Sequence, residues 1–306
     1  MTEFEYAAPT SVAEAARLLS QAKGRAKILA GGTDLLVQLR EGLRHADLVV
    51  DVKRIPSMTE IRQESSGSWR IGAATPCQQI ENHPGIRSSY PALADAVRII
   101  GGWQIKNRAT LGGNLCTSSP AGDSLPALIA SHAEGIIAGE DGSTRRVPME
   151  SFCTGPGKNV LQDGELLEAF VLPAPPAGSS GAYLRFIPRH EMDIAVVGCG
   201  AMLAVTNGKI TAARIGLGAV APTPLFAEQA SQGLLGQVPS RDIFAQAGEQ
   251  SRAIARPISD MRSPADYRTH LVGVLVKRSL EIAFRRIQGE SIDPLHHSWT
   301  AESSSL

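Results

Sequence analysis

The stretch that decides the first part of the fold is "AKILAGGTDLLVQLREGLRHADLVVDV", which spans residues 26–52. It opens with a short apolar strand, "AKIL", that runs into the paired glycines of "AGG". The segment "TDLLVQLREG" has helical spacing and is closed by Gly42, and the apolar run "ADLVVDV" predicts a second strand. The stretch therefore predicts a strand–turn–helix–strand unit near the start of the chain.

The flanking sequence extends this pattern in both directions. Upstream, Ser11 can cap an amphipathic helix, and Glu14 three residues later completes a capping box. Downstream, "DSLPALIASH" predicts a helix, "GIIAGEDGSTRRVP" a hairpin and "ELLEAFVLP" a strand. The first half of the chain therefore mixes strands and helices.

A segment rich in Pro, Gly and Ser, "PAPPAGSSG", predicts a linker, and the pattern changes after it. Two apolar strands flank Asn207–Gly208, a dipeptide that favours a two-residue hairpin turn, and two long helical segments follow. This second half predicts a small antiparallel sheet backed by helices. The last sixteen residues, "SIDPLHHSWTAESSSL", have no periodicity, so we expect disorder there and a polar tail rather than a metal site at His296 and His297.

The composition excludes several classes of protein. Formal net charge is +0 and no Lys/Arg block occurs, which argues against nucleic-acid binding. No apolar run reaches the roughly 18–20 residues of a membrane span, and no secretory signal is visible, so we expect a cytoplasmic protein. The 4 cysteines are scattered without metal-ligand spacing. They predict buried free thiols, no metal site and no iron–sulfur cluster.

A second glycine pair lies in "ATLGGNLCTSS", residues 109–119. Neither pair fits the G-x-G-x-x-G or P-loop pattern, and a lone pair is more often only a turn. Paired glycines nevertheless permit positive φ and let backbone N–H groups point at an anion. Thr33, Thr110 and Asn114 can add neutral donors. Two such loops suit two linked phosphates.

Residues for acid–base or nucleophilic chemistry are not apparent. Asp123 precedes a helix, where its carboxylate can cap the helix or accept hydrogen bonds from ribose hydroxyls. No Ser-His-Asp or Cys-His set is evident, so the sequence predicts no catalytic residue and no metal ligand in this chain. A chain that holds a dinucleotide without its own acid–base pair fits redox chemistry performed by the cofactor.

The two glycine loops and four further segments together resemble one protein family. The four segments are "SSPAGDSLPAL", "AYLRFIPRHEMDIAVVG", "IGLGAVAPTPLFAE" and "SPADYRTHLVGVLVKRSLEIA". It is the FAD-binding medium subunit of the molybdenum hydroxylases, which include carbon monoxide, aldehyde, N-heterocycle and xanthine dehydrogenases. The resemblance extends from residue 1 to about residue 288.

The resemblance implies an α+β fold. Its FAD-binding part is similar to vanillyl-alcohol oxidase and consists of two α/β subdomains, followed by a C-terminal α+β domain. The implied boundaries are 1–176 for the FAD-binding domain, with subdomains of about 1–56 and 57–176, then 177–288 for the C-terminal domain and 289–306 for a disordered tail.

The resemblance also implies which residues contact FAD. The diphosphate is expected on the first loop, Leu29–Leu36, and on the second, Thr110–Asn114, and Asp123 is expected to contact the adenosine half. Arg185 replaces a lysine that many relatives carry near the flavin ring, where a cation would favour the anionic reduced flavin. The full implied set is Leu29, Ala30, Gly31, Gly32, Thr33, Asp34, Leu35, Leu36, Ile100, Thr110, Leu111, Gly112, Gly113, Asn114, Asp123, Leu166, Leu167 and Arg185.

The implied function is electron transfer within a larger complex. A large subunit would carry the molybdenum cofactor and a small subunit two [2Fe-2S] clusters, and the assembly would be a dimer of heterotrimers. The FAD would pass electrons to an external acceptor such as quinone, NAD, oxygen or a carrier protein. Partners would account for any association with the inner face of the membrane.

Two alternatives follow from the same residues. A stand-alone flavin oxidoreductase of this fold would need its own acid–base group over the flavin, and no sequence feature indicates one. A non-enzymatic assembly subunit would have lost its FAD loops, which the intact Gly31, Gly32, Gly112 and Gly113 argue against.

Overall fold

The computed structural model describes residues 3–189 and 192–294. The chain forms two compact units. Of the described residues, the first unit contains 3–80, 100–118 and 133–174, and the second contains 81–99, 119–132, 175–189 and 192–294. His296, His297 and residues 295–306 of the expected disordered tail lie outside the described residues. The expectation is wrong for Ile292, which is buried, and for Asp293, which accepts from Arg98 Nη1 at 2.9 Å.

The first unit begins with a parallel three-stranded sheet. Its strands are β1 (Glu5–Ala7), β2 (Ala26–Leu29) and β3 (Leu48–Asp51), in the order β1-β3-β2, so β2 is an edge strand. Helices α1 (Val12–Gln21) and α2 (Leu35–Arg40) connect successive strands. The Glu14 N–H donates to Ser11 Oγ, which confirms the predicted helix cap.

A five-stranded antiparallel sheet completes most of this unit, in the order β4-β5-β10-β6-β7. The pairing of β6 with β7 confirms the predicted hairpin. A two-stranded sheet, β8-β9, follows β7. The strands are β4 (Ile61–Gln63), β5 (Trp69–Gly72), β6 (Glu134–Ala138), β7 (Thr144–Pro148), β8 (Cys153–Gly155), β9 (Lys158–Asn159) and β10 (Leu166–Leu172).

Short helices connect these strands. The strand β3 leads into two 3₁₀ turns, Val52–Arg54 and Pro56–Met58. The glycine pair of the second loop lies inside a helix, not in a loop that precedes one, since the helix already begins at Leu111. The helices of this part are α3 (Cys77–Asn82), α6 (Trp103–Lys106), α7 (Leu111–Cys116) and α9 (Met149–Phe152).

The second unit is built on a four-stranded antiparallel sheet of β11 (Ser179–Phe186), β12 (Val197–Thr206), β13 (Lys209–Gly218) and β14 (Leu225–Phe226), in that order. The predicted hairpin turn is confirmed, because Asn207 and Gly208 have φ of 53° and 74°. The predicted linker is shorter than expected, since β11 already begins at Ser179.

Helices pack against this sheet and enclose an apolar core that contains Leu203, Ile215, Phe244 and Val276. The helix that contains Pro126 lies close to β12, since a Cβ on Gly200 would lie 2.6 Å from the Pro126 carbonyl oxygen. The helices are α4 (Pro84–Ser89), α5 (Pro91–Arg98), α8 (Ser124–Ala130), α10 (Glu228–Gly233), α11 (Arg241–Arg252) and α12 (Ala265–Ile287).

A buried ion pair holds α12 to α5 in the second unit. Arg286 Nη1 and Nη2 donate to the Asp95 carboxylate at 2.8 and 3.1 Å, and also to the carbonyls of Gly181 and Ile292. Separate helices and antiparallel sheets confirm the expected α+β class. Among the helices that the structure describes, none is long and apolar enough to cross a membrane.

Candidate functional site

The first unit contains a cavity of about 600 Å³, within the range of about 300–1,000 Å³ that is typical of small-molecule and cofactor sites. Both glycine stretches contribute to its wall. Its lining includes Ala30, Gly32, Thr33, Asp34, Leu35, Ile100, Thr110, Gly112, Gly113, Asn114 and Leu167 from the residues that the resemblance implies.

The two glycine stretches lie directly against each other. A Cβ on Gly31 would lie 2.1 Å from the Arg108 carbonyl oxygen and 2.9 Å from the Cα of Ala109, the residue before the second stretch begins at Thr110. The Thr117 hydroxyl donates to an Asp34 carboxylate oxygen at 3.2 Å. Only glycine at position 31 lets the two backbones come this close.

The turn at residues 30–34 of the first loop contributes Ala30, Gly32, Thr33 and Asp34 to the cavity wall. Across residues 3–189 and 192–294, the N–H groups of Gly31, Gly32, Thr33 and Asp34 have no hydrogen-bond acceptor. The φ of Gly32 is 77°, a left-handed conformation that favours glycine and turns the chain at this point. Consecutive N–H groups in such a turn form a site for an anion.

The second stretch offers a different set of donors. The backbone N–H groups of residues 111–114 are already used: Leu111 donates to the Thr75 carbonyl, Gly112 to that of Ala73, Gly113 to Thr110 Oγ1, and Asn114 to the Thr110 carbonyl. The prediction that both loops present free backbone N–H groups is therefore wrong for this stretch. The hydroxyl of Thr110 accepts from Gly113 and keeps its own proton available to a ligand.

The glycines of the second stretch serve the packing of the protein. Gly112 lies within α7 and has no positive φ, contrary to the expected reason for a glycine there. A Cβ at this position would lie 2.5 Å from the Ala73 carbonyl oxygen. Of the four loop glycines, Gly32 has positive φ.

The other residues implied by the resemblance fall into two groups. Five belong to the first unit next to the lining residues, and of these Leu111 and Leu166 are fully buried. Asp123 and Arg185 belong to the second unit, so their contact with FAD stays a prediction. The five are Leu29, Gly31, Leu36, Leu111 and Leu166.

Asp123 and Arg185 form a buried ion pair with each other. One Asp123 oxygen accepts from Arg185 Nη1 at 2.8 Å, and the other accepts from the Tyr183 hydroxyl at 2.8 Å. Burial raises the pKa of Asp123 to about 6, although Arg185 and Tyr183 favour its ionised form. Its side chain makes no cap hydrogen bond to α8, so the helix-cap alternative is wrong.

Several cavity residues could not be found from the sequence. Lys27 projects from β2, Arg44 follows α2, and residues 161–165 precede β10. None of them belongs to a glycine motif or to a pattern that indicates a ligand. Only the folded chain brings residues 161–165 to the wall of a cavity whose first glycine loop lies more than a hundred positions earlier.

The four cysteines are free, as predicted, and Cys77, Cys153 and Cys199 are buried. Cys116 is partly buried and lines the cavity. Burial, together with the nearby Cys153, raises the pKa of the Cys116 thiol to about 12. A thiol with this pKa stays protonated and unreactive at neutral pH.

The glycine cradle and its cavity suit a nucleotide cofactor, and the sequence comparisons identify the family. The chain matches the profile of the FAD binding domain in molybdopterin dehydrogenase over residues 2–175. It matches the profile of the CO dehydrogenase flavoprotein C-terminal domain over residues 182–283. The chain therefore belongs to the FAD-binding subunits of the molybdenum hydroxylases and is an oxidoreductase flavoprotein.

Individual relatives are similar in sequence to this chain over nearly its whole length. The carbon monoxide dehydrogenase medium chain of Hydrogenophaga pseudoflava is 34% identical over 283 residues, which cover 92% of this chain and 98% of that one. The xanthine dehydrogenase FAD-binding subunit of Escherichia coli O157:H7 is 32% identical over 286 residues, 93% of this chain and 97% of that one.

Solved structures show the same fold. A chain of the Hydrogenophaga pseudoflava carbon monoxide dehydrogenase superposes with a TM-score of 0.88 at 35% identity, over 93% of this chain and 98% of that one. A chain of quinoline 2-oxidoreductase from Pseudomonas putida 86 superposes with a TM-score of 0.85 at 28% identity, over 94% and 98%.

The residues present fit an FAD. The four unused N–H groups of the first loop match the oxygen acceptors of a diphosphate. The cavity also has apolar walls, to which Ile28, Ile100, Ile105 and Leu167 contribute. An elongated ligand with aromatic rings and a central anion suits this combination of surfaces.

Proposed function

We propose that this chain is the electron-transfer flavoprotein subunit of a multi-subunit molybdenum hydroxylase. The observation that carries the proposal is the cradle of unused backbone N–H groups at Gly31–Asp34, of which Gly32, Thr33 and Asp34 line a cofactor-sized cavity. Similarity to medium chains of carbon monoxide dehydrogenases over almost the entire length supports the assignment to a larger complex.

The chain's own residues would hold and orient the cofactor. The first loop donates backbone N–H groups to the diphosphate, and the side chains of Thr110 and Asn114 add donors from the second stretch. Apolar residues such as Ile100 and Leu167 exclude water along the wall of the cavity. Bound FAD would supply chemistry that accepts and releases electrons one or two at a time.

Asp123 and Arg185 would act on the electrostatics of the cofactor as a pair. Because the two charges lie 2.8 Å apart and are buried, Arg185 presents less net positive charge than an isolated cation would. An arginine in this position also keeps a planar, fixed geometry that a lysine does not have. We propose both as FAD contacts, together with Leu29–Leu36, Ile100, Thr110–Asn114, Leu166 and Leu167.

The partners in this proposal are a large subunit with the molybdenum cofactor and a small subunit with two [2Fe-2S] clusters, assembled as a dimer of heterotrimers. Electrons would reach this chain from the iron–sulfur subunit and leave to quinone, NAD, oxygen or a carrier protein. The complex would be cytoplasmic, and its partners would mediate any attachment to the inner face of the membrane.

Purification of the chain from its native source tests the assignment to a complex. We expect two further chains to co-purify with it, one with molybdenum and one with iron. We also expect the isolated, FAD-loaded chain to oxidise neither aldehydes nor N-heterocycles. Turnover of such substrates by the isolated chain would instead support the alternative of a stand-alone flavin oxidoreductase.

A further inference from the structure

The second unit contains a buried arginine outside the candidate site. Arg268 lies near the start of α12, and its side chain is 4% exposed. Its Nη1 donates to the carbonyls of Val196 at 2.7 Å and Ala219 at 3.4 Å, and its Nη2 donates to an Asp260 carboxylate oxygen at 2.7 Å. One guanidinium therefore binds three connections, which precede β12, follow β13 and precede α12.

The first of these contacts fixes the backbone beside Arg185. Arg185 is the penultimate residue of β11, and the connection from β11 to β12 ends at Val196, whose N–H donates to the Phe186 carbonyl at 2.9 Å. Within the same connection, the Asp193 carbonyl accepts from Arg185 Nη1 at 3.4 Å. Because Arg268 holds the end of this connection, it also restrains an acceptor of the Arg185 guanidinium.

The second contact fixes the backbone beside Asp123, the partner of Arg185. Ala219 has a φ of 62°, a left-handed conformation that is uncommon for residues other than glycine. Its N–H donates to the Pro120 carbonyl at 2.7 Å, in the segment that leads to Asp123, while its carbonyl accepts from Arg268. Arg268 therefore restrains both members of the buried pair through the backbones that carry them.

The third contact supplies the negative charge that a buried guanidinium requires. Asp260 Oδ1 accepts from Arg268 and from the N–H groups of Arg262 and Ser263 at 2.8 and 3.2 Å. The hydrogen bond from the Arg262 N–H, together with those from Arg268 and Ser263, lowers the pKa of Asp260 below its ordinary value. A lysine would place a single nitrogen here, whereas the planar fork of arginine reaches the carboxylate and the carbonyls together.

We propose that Arg268 is a positioning residue that holds the Asp123–Arg185 pair in the geometry in which the pair contacts bound FAD. Among the described residues, the guanidinium donates to neither member of the pair, so it acts through the backbone. The inference rests on the proposed function, because it takes the pair as a contact of FAD. It gives a role to the arginine of "SPADYR", a segment that contributes no other residue to the site.

Hydrogen–deuterium exchange of the full-length apo chain tests the positioning without any cofactor. Arg268→Lys keeps a positive charge but loses the fork, so we expect the N–H groups of Val196 and Ala219 to exchange about tenfold faster, as is typical when a hydrogen bond to a charged group is lost. Exchange in β6 of the first unit should not change. The matched control is Arg285→Lys, at a more exposed ion pair of the same helix, which should leave all these rates within about twofold.

FAD titrations of the same chains test whether Arg268 acts through Arg185. Arg268→Lys should weaken FAD binding about fivefold in the unsubstituted background and less than about twofold in an Arg185→Gln background, because the group that it positions is then absent. The reduction potential of the bound flavin should shift in the same direction in Arg268→Lys and Arg185→Gln. If Arg268→Lys does not fold, Asp260→Asn weakens the same fork at a partly exposed carboxylate and should give the same pattern.

Three results would overturn the proposal. The first is unchanged exchange at Val196 and Ala219 in Arg268→Lys, and the second is unchanged FAD affinity in that variant. The third is an equal loss of FAD affinity with and without Arg185, which would show that Arg268 acts independently of the pair. If the unsubstituted chain bound no FAD, the proposed function itself would fail, whereas the exchange rates would still show whether Arg268 holds the two backbones.

Discussion

Replacement of Gly31 by alanine perturbs the contact on which the cradle depends. The added Cβ would lie 2.1 Å from the Arg108 carbonyl oxygen, whereas real Cβ atoms essentially never come within 3.0 Å of such an atom. The two backbones must therefore separate by about 0.9 Å, the difference between these distances. Both sides of the contact are backbone, so no side chain can rotate away to relieve it.

This displacement should weaken FAD binding strongly. A hydrogen bond of about 2.9 Å that is stretched by this amount is effectively lost, and hydrogen bonds to charged groups are worth about 1.5–3 kcal/mol each. Loss of two of the four bonds would cost at least about 3 kcal/mol, or roughly 100-fold in Kd. Overpacking should also lower the free energy of unfolding by about 1–3 kcal/mol, with a fall in Tm of about 2–12 °C.

Isothermal titration of the apo chain with FAD and differential scanning calorimetry measure the two effects. The matched control is Gly155→Ala in β8, because a Cβ there would have its nearest neighbour at 3.9 Å. We expect this control to bind FAD normally. A Gly31→Ala variant that binds FAD within threefold of the unsubstituted Kd would refute the reasoning from backbone contact.

Three further predictions concern groups outside the cradle. Arg286→Ala should destabilise the second unit by about 3–5 kcal/mol in chemical denaturation, because it leaves Asp95 buried without its partner. Arg285→Ala, at a more exposed ion pair, should cost less than about 1 kcal/mol. Equal losses of stability in the two variants would contradict this expectation. The raised pKa of Asp123, about 6 against an ordinary 3.8, means that the folded state binds the proton more tightly. The contribution of Asp123 to the free energy of unfolding should therefore be fully present below pH 3.8 and be lost as the pH rises through about 6, and a carboxyl NMR titration of Asp123 with its midpoint below 4 would exclude this. Cys116→Ser should leave FAD affinity within about twofold of that of the unsubstituted chain. Iodoacetamide should not label Cys116 in the folded chain at pH 8, because the thiol stays protonated. Rapid labelling would contradict this, since it would show that the thiol is accessible and ionised.

Local features of the fold were predictable because neighbouring residues determine them. The cap at Ser11 depends on a hydroxyl three residues before an N–H, and the turn at Asn207–Gly208 depends on two residues that tolerate positive φ. The order β1-β3-β2 was not predictable in this way, because it depends on how strands that are distant in sequence pair with one another.

At the candidate site, too, local motifs were predictable from the sequence and long-range contacts were not. The glycine pairs were visible in the sequence as a motif. The reason why position 112 requires glycine was not visible, because the atom that excludes a Cβ there belongs to Ala73, which is distant in sequence. The buried pairing of Asp123 with Arg185 likewise joins segments that are distant in sequence. Sequence patterns therefore located the two glycine stretches, whereas packing decided which donors each stretch can offer.

The central claim is that the N–H groups of Gly31–Asp34 hold an FAD in this chain. Titration of the purified apo chain with FAD, followed by absorption spectroscopy after gel filtration, tests it most directly. We expect one bound FAD per chain, with the absorption bands of a protein-bound flavin, and loss of that flavin in Gly31→Ala but not in Gly155→Ala. A chain that retains no flavin under these conditions, or an equal occupancy in both variants, would contradict it.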